Sequence, residues 1–156
     1  MPNRAETSRR DTVSRVILAA PRALYRAHLD GEMLANWRAP EEMRAEIIAF
    51  DGRLGGCYDM VLHKLAAKDS VAAKSLDRLT GSFEELVPDE KIVERILISD
   101  GRSNSAMTIL VTTILRAVKD GTKVGVHTAQ VQPDHAGQDH LLDMTLALRK
   151  LAMLTE

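Results

Sequence analysis

The chain has 156 residues, of which 45% are hydrophobic and 28% are charged, so one folded domain is expected and wholesale disorder is excluded. A net charge of −1 and an aromatic content of 3% argue against a nucleic-acid partner, which needs a basic surface or stacking rings. No apolar run approaches the roughly 20 residues that span a bilayer, so no membrane partner is expected.

The first part of the chain predicts a tail, a strand and two short helices. Residues 1–12 are polar and basic, which is typical of a flexible tail, so a single domain is expected over residues 13–156. Val13–Ala19 is apolar and β-branched and predicts a first strand. Pro21 suits the first turn of a helix, and Glu32–Trp37 predicts a second short helix.

Six further segments alternate in polarity or are β-branched, and they predict an antiparallel sheet of six to seven strands once the first strand is counted. Gly, Pro and Asp turn signals such as Asp51-Gly52 and Asp120-Gly121 separate them. The predicted strands are Met43–Phe50, Cys57–His63, Arg78–Val87, Lys91–Ser99, Ser105–Val118 and Thr122–Val131. The Ala- and Lys-rich stretch Leu65–Asp77 fits either a helical turn or a loop.

The last part of the chain predicts a long helix from about Asp134 to Leu154. Leu141, Met144 and Leu148 begin an apolar stripe along it, and so broad a stripe must be buried against a large surface. The nearest such surface is one face of the preceding sheet. The predicted fold is therefore α+β, with a curved antiparallel sheet wrapped around a long C-terminal helix and two short helices after strand one.

Several short motifs, in this order and spacing, resemble those of a known superfamily. They are Ala20-Pro21, Leu34-Ala35-Asn36-Trp37 with Pro40, Asp51 to Gly56, Gly81, Val87-Pro88, Gly121-Thr122 and Leu148 to Leu151. The superfamily is SRPBCC, also called START or birch-pollen-allergen-like, and the most similar group within it is the activator of heat-shock protein 90 ATPase homologue-like group. The resemblance covers roughly residues 13–155 and implies a helix-grip fold, often with a cavity between sheet and helix. Asp143-Met144 stands where members usually carry Gly-Trp, so a large interior ring is absent.

The interior lining is the first candidate site. If the strands alternate as predicted, an apolar face points towards the last helix, and Trp37 lies at its margin. The predicted lining consists of Trp37, Tyr58, Met60, Leu62, Phe83, Met107, Ile109, Val111, Val124, Val126, Thr128, Met144 and Leu148. A concave apolar lining with few polar groups is typical of small-molecule sites. The alternatives are that these residues pack shut and that Trp37 anchors its helix instead of gating a cavity.

A cluster of acidic and histidine residues near the predicted last helix is the candidate metal site. It consists of Asp134, His135, Asp139, His140 and Asp143, whose helical spacing could place ligands on one face. Acidic residues are also favoured at a helix N-terminus, because they meet its unpaired N–H groups. The cluster lacks an HExxH arrangement. We therefore expect helix-end charges, no metal and no cofactor.

The sequence gives little indication of a reactive or binding role for the remaining polar candidates. His63 and His127 are expected on the outer face, where neither has a visible acid–base partner. Asp51 and Arg53 are expected to order a turn around Gly52. The single cysteine, Cys57, excludes an intrachain disulfide and fits a reducing compartment, so a cytoplasmic location is expected. The inward-facing polar groups are expected to be sparse, and no catalytic residue is assigned.

Three functions remain open at this point. The favoured one is binding of a small, largely apolar molecule in a cavity between the sheet and the C-terminal helix. The second is a co-chaperone-like interaction module with a chaperone partner, and the third is a cyclase- or lyase-type enzyme that uses the same cavity. Both alternatives are implied by the resemblance. The sequence also leaves open whether the chain forms a homodimer, and it does not identify a ligand.

Overall fold

The computed structural model describes residues 10–40, 43–64, 77–99, 106–131 and 144–156. They contain seven strands and three helices. The strands are β1 (Arg10–Ile17), β2 (Met43–Phe50), β3 (Cys57–Lys64), β4 (Asp77–Val87), β5 (Lys91–Ser99), β6 (Ala106–Val118) and β7 (Gly121–Gln130). The helices are α1 (Pro21–His28), α2 (Gly31–Arg38) and α3 (Met144–Thr155).

The strands form one antiparallel sheet in the order β1-β7-β6-β5-β4-β3-β2. Consecutive strands from β2 to β7 are neighbours, while β1 crosses to the far side and pairs with β7. The three helices contact one another, and α1, α2 and α3 also contact strands of the sheet. This arrangement confirms the predicted α+β fold, in which the sheet lies against the C-terminal helix.

Most predicted boundaries agree with the structure, and β2 and β5 agree at both ends. The first strand differs, because β1 begins at Arg10 and Arg10 to Thr12 pair with Ala129 to His127 of β7. These three residues, expected in the tail, therefore belong to the sheet. The start of the last helix near Asp134 and the ambiguous residues 65–76 lie outside the described residues.

The turn between β6 and β7 shows how the sequence reverses the chain as predicted. Asp120 has a positive φ of 91°, which Asp tolerates better than most residues. Gly121 follows it, and a Cβ at this position would overlap the backbone carbonyl of Ile17. The Asp-Gly pair thus reverses the chain between β6 and β7 and also lets the end of β1 approach closely.

One polar contact caps α2, and two others join the helices to one another. The Asp30 carboxylate accepts from the Met33 backbone N–H at 3.0 Å and caps the start of α2. Trp37 Nε1 donates to the Ala27 carbonyl oxygen at 3.0 Å, which ties α2 to α1. Lys150 Nζ donates to the carbonyl oxygen of Ala39 at 2.7 Å, which ties α3 to the end of α2. The last two contacts thus hold α2 to α1 and to α3.

Candidate functional site

Four polar side chains meet inside the domain, and we call them the buried polar cluster: His28, Arg38, Tyr58 and Glu94. His28 and Arg38 are the last residues of α1 and α2, and Tyr58 and Glu94 lie on β3 and β5. Alternation explains the position of Glu94, because Ile92 and Ile96 on the same strand are also fully buried. The fold thus brings one end of each short helix onto the inner face of the sheet.

Arg38 and Glu94 form the centre of the cluster as a two-pronged ion pair. Arg38 Nη1 donates to Glu94 Oε1 at 3.2 Å, and Nη2 donates to Oε2 at 3.1 Å. The Tyr58 hydroxyl donates to Glu94 Oε1 at 2.7 Å and accepts from Arg38 Nη1 at 3.2 Å. The two charged side chains are 1% and 0% exposed. Charge-assisted hydrogen bonds of this kind hold both groups in one geometry.

The electrostatics of the cluster favour an ionised pair beside neutral neighbours. Burial alone would raise the pKa of Glu94, but the Arg38 guanidinium holds that pKa below its usual value. Burial lowers the pKa of His28 from 6.5 to about 4, against the opposing effect of Glu94, so the imidazole is neutral near pH 7. Burial, reinforced by Glu94, raises the pKa of Tyr58 and keeps its hydroxyl protonated. The cluster therefore has no net charge.

Trp37 packs against two members of the cluster. The Arg38 guanidinium lies over its ring, with Cζ 4.6 Å from the centroid, which is a cation–π distance. The His28 ring meets it edge-on at 4.7 Å between centroids. Because Trp37 is 2% exposed and its Nε1 bonds to Ala27, it anchors α2. The anchoring alternative from the sequence is thus the one that the geometry favours.

One donor of the cluster is left without a partner. Arg38 Nε is buried and makes no hydrogen bond, although a buried donor without an acceptor costs about 1–3 kcal/mol. His28 Nδ1 donates to the Leu24 carbonyl oxygen at 2.8 Å, so the other ring nitrogen, Nε2, is an acceptor in the neutral imidazole. His28 and Arg38 both pack against the Trp37 ring, so the unpaired N–H and the imidazole acceptor belong to two side chains that share a neighbour.

His28 and Arg38 border a small cavity of about 10 Å³ between the sheet and α3. Its lining residues are His28, Trp37, Arg38, Val111, Thr113, Val126, Met144, Ala147 and Leu148. About 10–15 Å³ on this measure is the space of a single water. The cavity thus has polar residues from α1, α2 and β6, apolar residues from the sheet and α3, and room for one oxygen-sized group.

The structure places the predicted lining residues in three different settings. Trp37, Val111, Val126, Met144 and Leu148 border the cavity. The residues buried in the core away from it are Tyr58, Met60, Leu62, Phe83, Met107, Ile109 and Val124. Thr128 is only partly buried, and its hydroxyl lies 3.5 Å from the Asp11 carbonyl oxygen. The assignment of all of these residues to a ligand site stays a prediction.

Sequence reasoning missed the most distinctive feature of the interior. The expectation that inward-facing polar groups are sparse is wrong, since His28, Arg38, Tyr58, Glu94 and Thr113 are all buried. A signal for Glu94 was available, because it follows Ile92 and precedes Ile96 at inward positions of β5. Sequence alone did not favour burial of Arg38 and Glu94, because Arg and Glu are almost never fully buried unless they are paired.

The polar candidates outside the interior have local roles. His63 Nε2 lies 2.8 Å from Glu46 Oε1, and His127 Nδ1 lies 3.1 Å from the Thr12 hydroxyl. Arg53 donates to Asp51 at 2.9 Å across the turn. Cys57 is exposed. The predicted metal cluster, from Asp134 to Asp143, lies outside the described residues, and no group of three metal-binding side chains occurs within them.

A second concavity lies outside the core. It is an open groove of about 590 Å³ between α2 and the edge strand β2. The groove is lined by Glu32, Ala35, Asn36, Ala39, Met43, Arg44, Ala45 and Ile47. The three described helices include none that is long and apolar enough to cross a membrane.

Comparisons with known proteins agree with this fold. The family profile described as Activator of Hsp90 ATPase homolog 1-like protein matches residues 18–156. A crystal structure of a Chromobacterium violaceum protein is similar, with 26% identity and a TM-score of 0.76, and the match covers 94% of this chain and 96% of that one. A Rhizobium loti protein shares the fold at 23% identity and a TM-score of 0.69, with coverage of 94% and 96%. No curated protein matches the chain significantly.

Proposed function

Because the chain belongs to the Activator of Hsp90 ATPase homolog 1-like family, we propose that it is a binding module for a small, largely apolar molecule. The ligand would lie between the sheet and α3, with its polar end at the cavity beside the buried polar cluster. A cytoplasmic location is part of the proposal, since the lone Cys57 suits a reducing compartment.

The observation that carries this proposal is the unpaired Nε–H of Arg38, a residue that lines a cavity together with other polar and apolar residues. A ligand acceptor at this point would satisfy the donor, and apolar ligand surface would pack on Val111, Val126 and Leu148. The present volume accommodates only the polar atom. The rest of the ligand would need neighbouring side chains to move, and Met144 is well suited because its side chain is unbranched and adaptable.

The same geometry speaks against acid–base catalysis by the cluster. Both Glu94 oxygens accept hydrogen bonds from Arg38, so the carboxylate is held as an ion-pair partner and is not poised to remove a proton. The lowered pKa of His28, about 4, makes it a weak base near neutral pH, where a catalytic base works best with a pKa near the operating pH. Binding is therefore the function that these residues support best.

The proposal is tested with an apolar fluorescent probe and with native mass spectrometry of freshly purified protein. We expect probe binding, and we expect Met144→Trp to weaken it by at least tenfold because the larger ring takes ligand space. The melting temperature should stay within a few degrees of the wild-type value. Met153→Trp is the matched control, because Met153 is 77% exposed on the same helix. The same spectra report whether the chain is a homodimer.

Two results together would contradict the binding module. They are absence of probe binding to the wild-type protein and a clear loss of stability in Met144→Trp, which would indicate overpacking of a closed interior. Native spectra that show no co-purified small molecule would agree with that outcome but would not establish it alone.

A co-chaperone-like interaction module is the second candidate, and the open groove between α2 and β2 supports it. The groove runs along an edge strand, whose free backbone groups could pair with an extended segment of a partner. The test is stimulation of an Hsp90-type ATPase by the purified chain, compared with Ala35→Arg in the groove. Leu54→Arg, at an exposed position outside the groove lining, is the control. Stimulation that Ala35→Arg abolishes would favour this candidate.

A further inference from the structure

The charge balance of the buried polar cluster restricts what can bind beside it. Arg38 is neutralised by Glu94 through two hydrogen bonds, and Tyr58 donates a third to the same carboxylate. A ligand carboxylate or amine would add an unbalanced charge to a region where Arg38 and Glu94 are almost completely buried. Burying such a charge without a partner is strongly unfavourable. The polar end of a ligand at this cavity is therefore uncharged.

The hydrogen-bonding groups of the lining residues further restrict the polar group of a ligand at this cavity. Arg38 Nε–H is an unpaired donor, and the bond from His28 Nδ1 to Leu24 leaves Nε2 as an acceptor. Thr113 brings a buried hydroxyl to the same cavity. A hydrocarbon would leave Arg38 Nε unpaired, and a ketone or ether oxygen would leave the His28 acceptor unpaired. A hydroxyl group has both a lone pair and a proton to give.

We infer that this cavity is a recognition site for the hydroxyl group of an apolar alcohol or phenol. The hydroxyl oxygen accepts from Arg38 Nε–H, and its proton is donated to His28 Nε2. The cavity volume of about 10 Å³ matches one oxygen atom, and the apolar part of the molecule lies towards Val111, Val126 and Met144. The inference rests on the proposed binding function and adds the chemical class of the ligand.

The experiment compares three probes with one ring system: 2-naphthol, naphthalene and 2-naphthoate. At pH 7 the phenol is neutral, since phenols ionise near pH 10, and the carboxylate is an anion. Dissociation constants are measured by fluorescence titration on the full chain. We expect 2-naphthol to bind about tenfold more tightly than naphthalene, as one satisfied buried hydrogen bond predicts, and 2-naphthoate to bind more weakly than both.

His28→Asn tests the acceptor directly. The Asn amide nitrogen takes roughly the place of Nδ1 and can keep the bond to Leu24, while the Nε2 acceptor is lost. The readout is the ratio of the naphthalene and 2-naphthol dissociation constants, which cancels any general effect of a smaller side chain. We expect the ratio to fall from about ten to near one, because the buried hydroxyl proton is then left unpaired and its cost offsets the remaining bond from Arg38. Thr112→Val is the matched control, because Thr112 neighbours Thr113 on β6 but lies outside the cavity lining, and it should leave the ratio unchanged.

The outcomes separate this inference from the function on which it rests. Equal binding of the three probes, or an unchanged ratio in His28→Asn, overturns the hydroxyl site and leaves the binding module standing. Failure of all three probes to bind overturns both, and it assigns the cavity to a structural water. A preference for 2-naphthoate overturns the argument from charge balance and with it the hydroxyl site.

Discussion

The inner and outer faces of the sheet carry the same kinds of ion pair in opposite surroundings. On the inside, Arg38 and Glu94 are about 1% and 0% exposed. On the outside, Arg78 lies beside Asp59 at 2.7 Å with exposures of 49% and 26%. The outer contact is the shorter one, yet water surrounds it and screens it. Distance alone therefore says little about what an ion pair does for the fold.

The two faces also differ in what they can recognise. Water can satisfy every free hydrogen-bonding group of an exposed pair, so such a pair does not select a ligand by its polar groups. The buried pair is shielded from water. Its unpaired donor, Arg38 Nε, can therefore be satisfied only by a ligand group that accepts a hydrogen bond. A buried ion pair is weak support for stability as such. The proposed hydroxyl site would give this pair a role in recognition, and the two faces are expected to respond differently to mutation.

The largest effect is expected where a charge enters the interior without a partner. Leu148→Asp places a carboxylate beside the cavity, and the cation among the described lining residues, Arg38, is already paired with Glu94. We expect the domain to unfold, with a loss above about 4–5 kcal/mol, measured by circular dichroism and urea denaturation. Met153→Asp, on the exposed side of the same helix, should change the free energy of unfolding by no more than about 0.5 kcal/mol. An unchanged melting temperature for Leu148→Asp would contradict the placement of α3 against the core.

The second-largest loss of stability is expected when the buried Arg38–Glu94 pair is broken. Glu94→Gln leaves the Arg38 guanidinium buried without its counter-charge, and removal of one partner from a buried pair costs about 3–5 kcal/mol. Glu84→Gln removes a carboxylate from the exposed pair with Arg95 and should cost no more than about 1 kcal/mol. The double variant Arg38→Met with Glu94→Leu should recover much of the lost stability, because no buried charge remains. Equal losses for Glu94→Gln and Glu84→Gln would remove the contrast between the faces.

Lowering the pH should reduce the stability of the domain through the buried His28. Burial lowers its pKa in the folded state to about 4 from an ordinary value of 6.5, so the unfolded chain takes up the proton first as the pH falls. The stability that depends on neutral His28 is complete above about pH 6.5 and is lost between there and pH 4. A shift of this size amounts to about 3 kcal/mol. His28→Asn should flatten the pH dependence of the free energy of unfolding in this window, and an unaltered slope would argue against a buried neutral imidazole.

The fold was largely predictable because local pattern decides it. Alternation gave β2 and β5 at both ends, and the Asp120-Gly121 pair gave the last hairpin. Patterns of this kind act through neighbours in sequence, which a single chain displays. The early start of β1 was not visible in the same way, since Arg10 to Thr12 are polar and are held only by pairing with β7.

The candidate site was much less predictable because its members meet only in three dimensions. Arg38 and Glu94 lie far apart in sequence, and each residue type is normally exposed. Nothing near either one indicates that the other is its partner. Gly81 is a partial clue, because a Cβ at this position would overlap the ring of Tyr58. That clue becomes readable only once the register between β3 and β4, which pairs Tyr58 with Gly81, is known.

The smallest expected effect is on the outer face, and it completes the contrast. Arg78 Nε and Nη2 donate to the two Asp59 oxygens at 3.0 and 2.7 Å, an arrangement as well aligned as that of the inner pair. A double-mutant cycle with Asp59→Asn and Arg78→Gln should nevertheless give a coupling of only about 0.2–1 kcal/mol, because exposed pairs gain little in water. Raising the ionic strength to about 1 M shortens the Debye length to about 3 Å and should reduce this coupling further. The Arg38–Glu94 pair should not respond in this way, because no solvent ions reach it. A large, salt-resistant coupling between Asp59 and Arg78 would show that geometry outweighs burial in this sheet, and the special role assigned to the inner pair would then lose its physical basis.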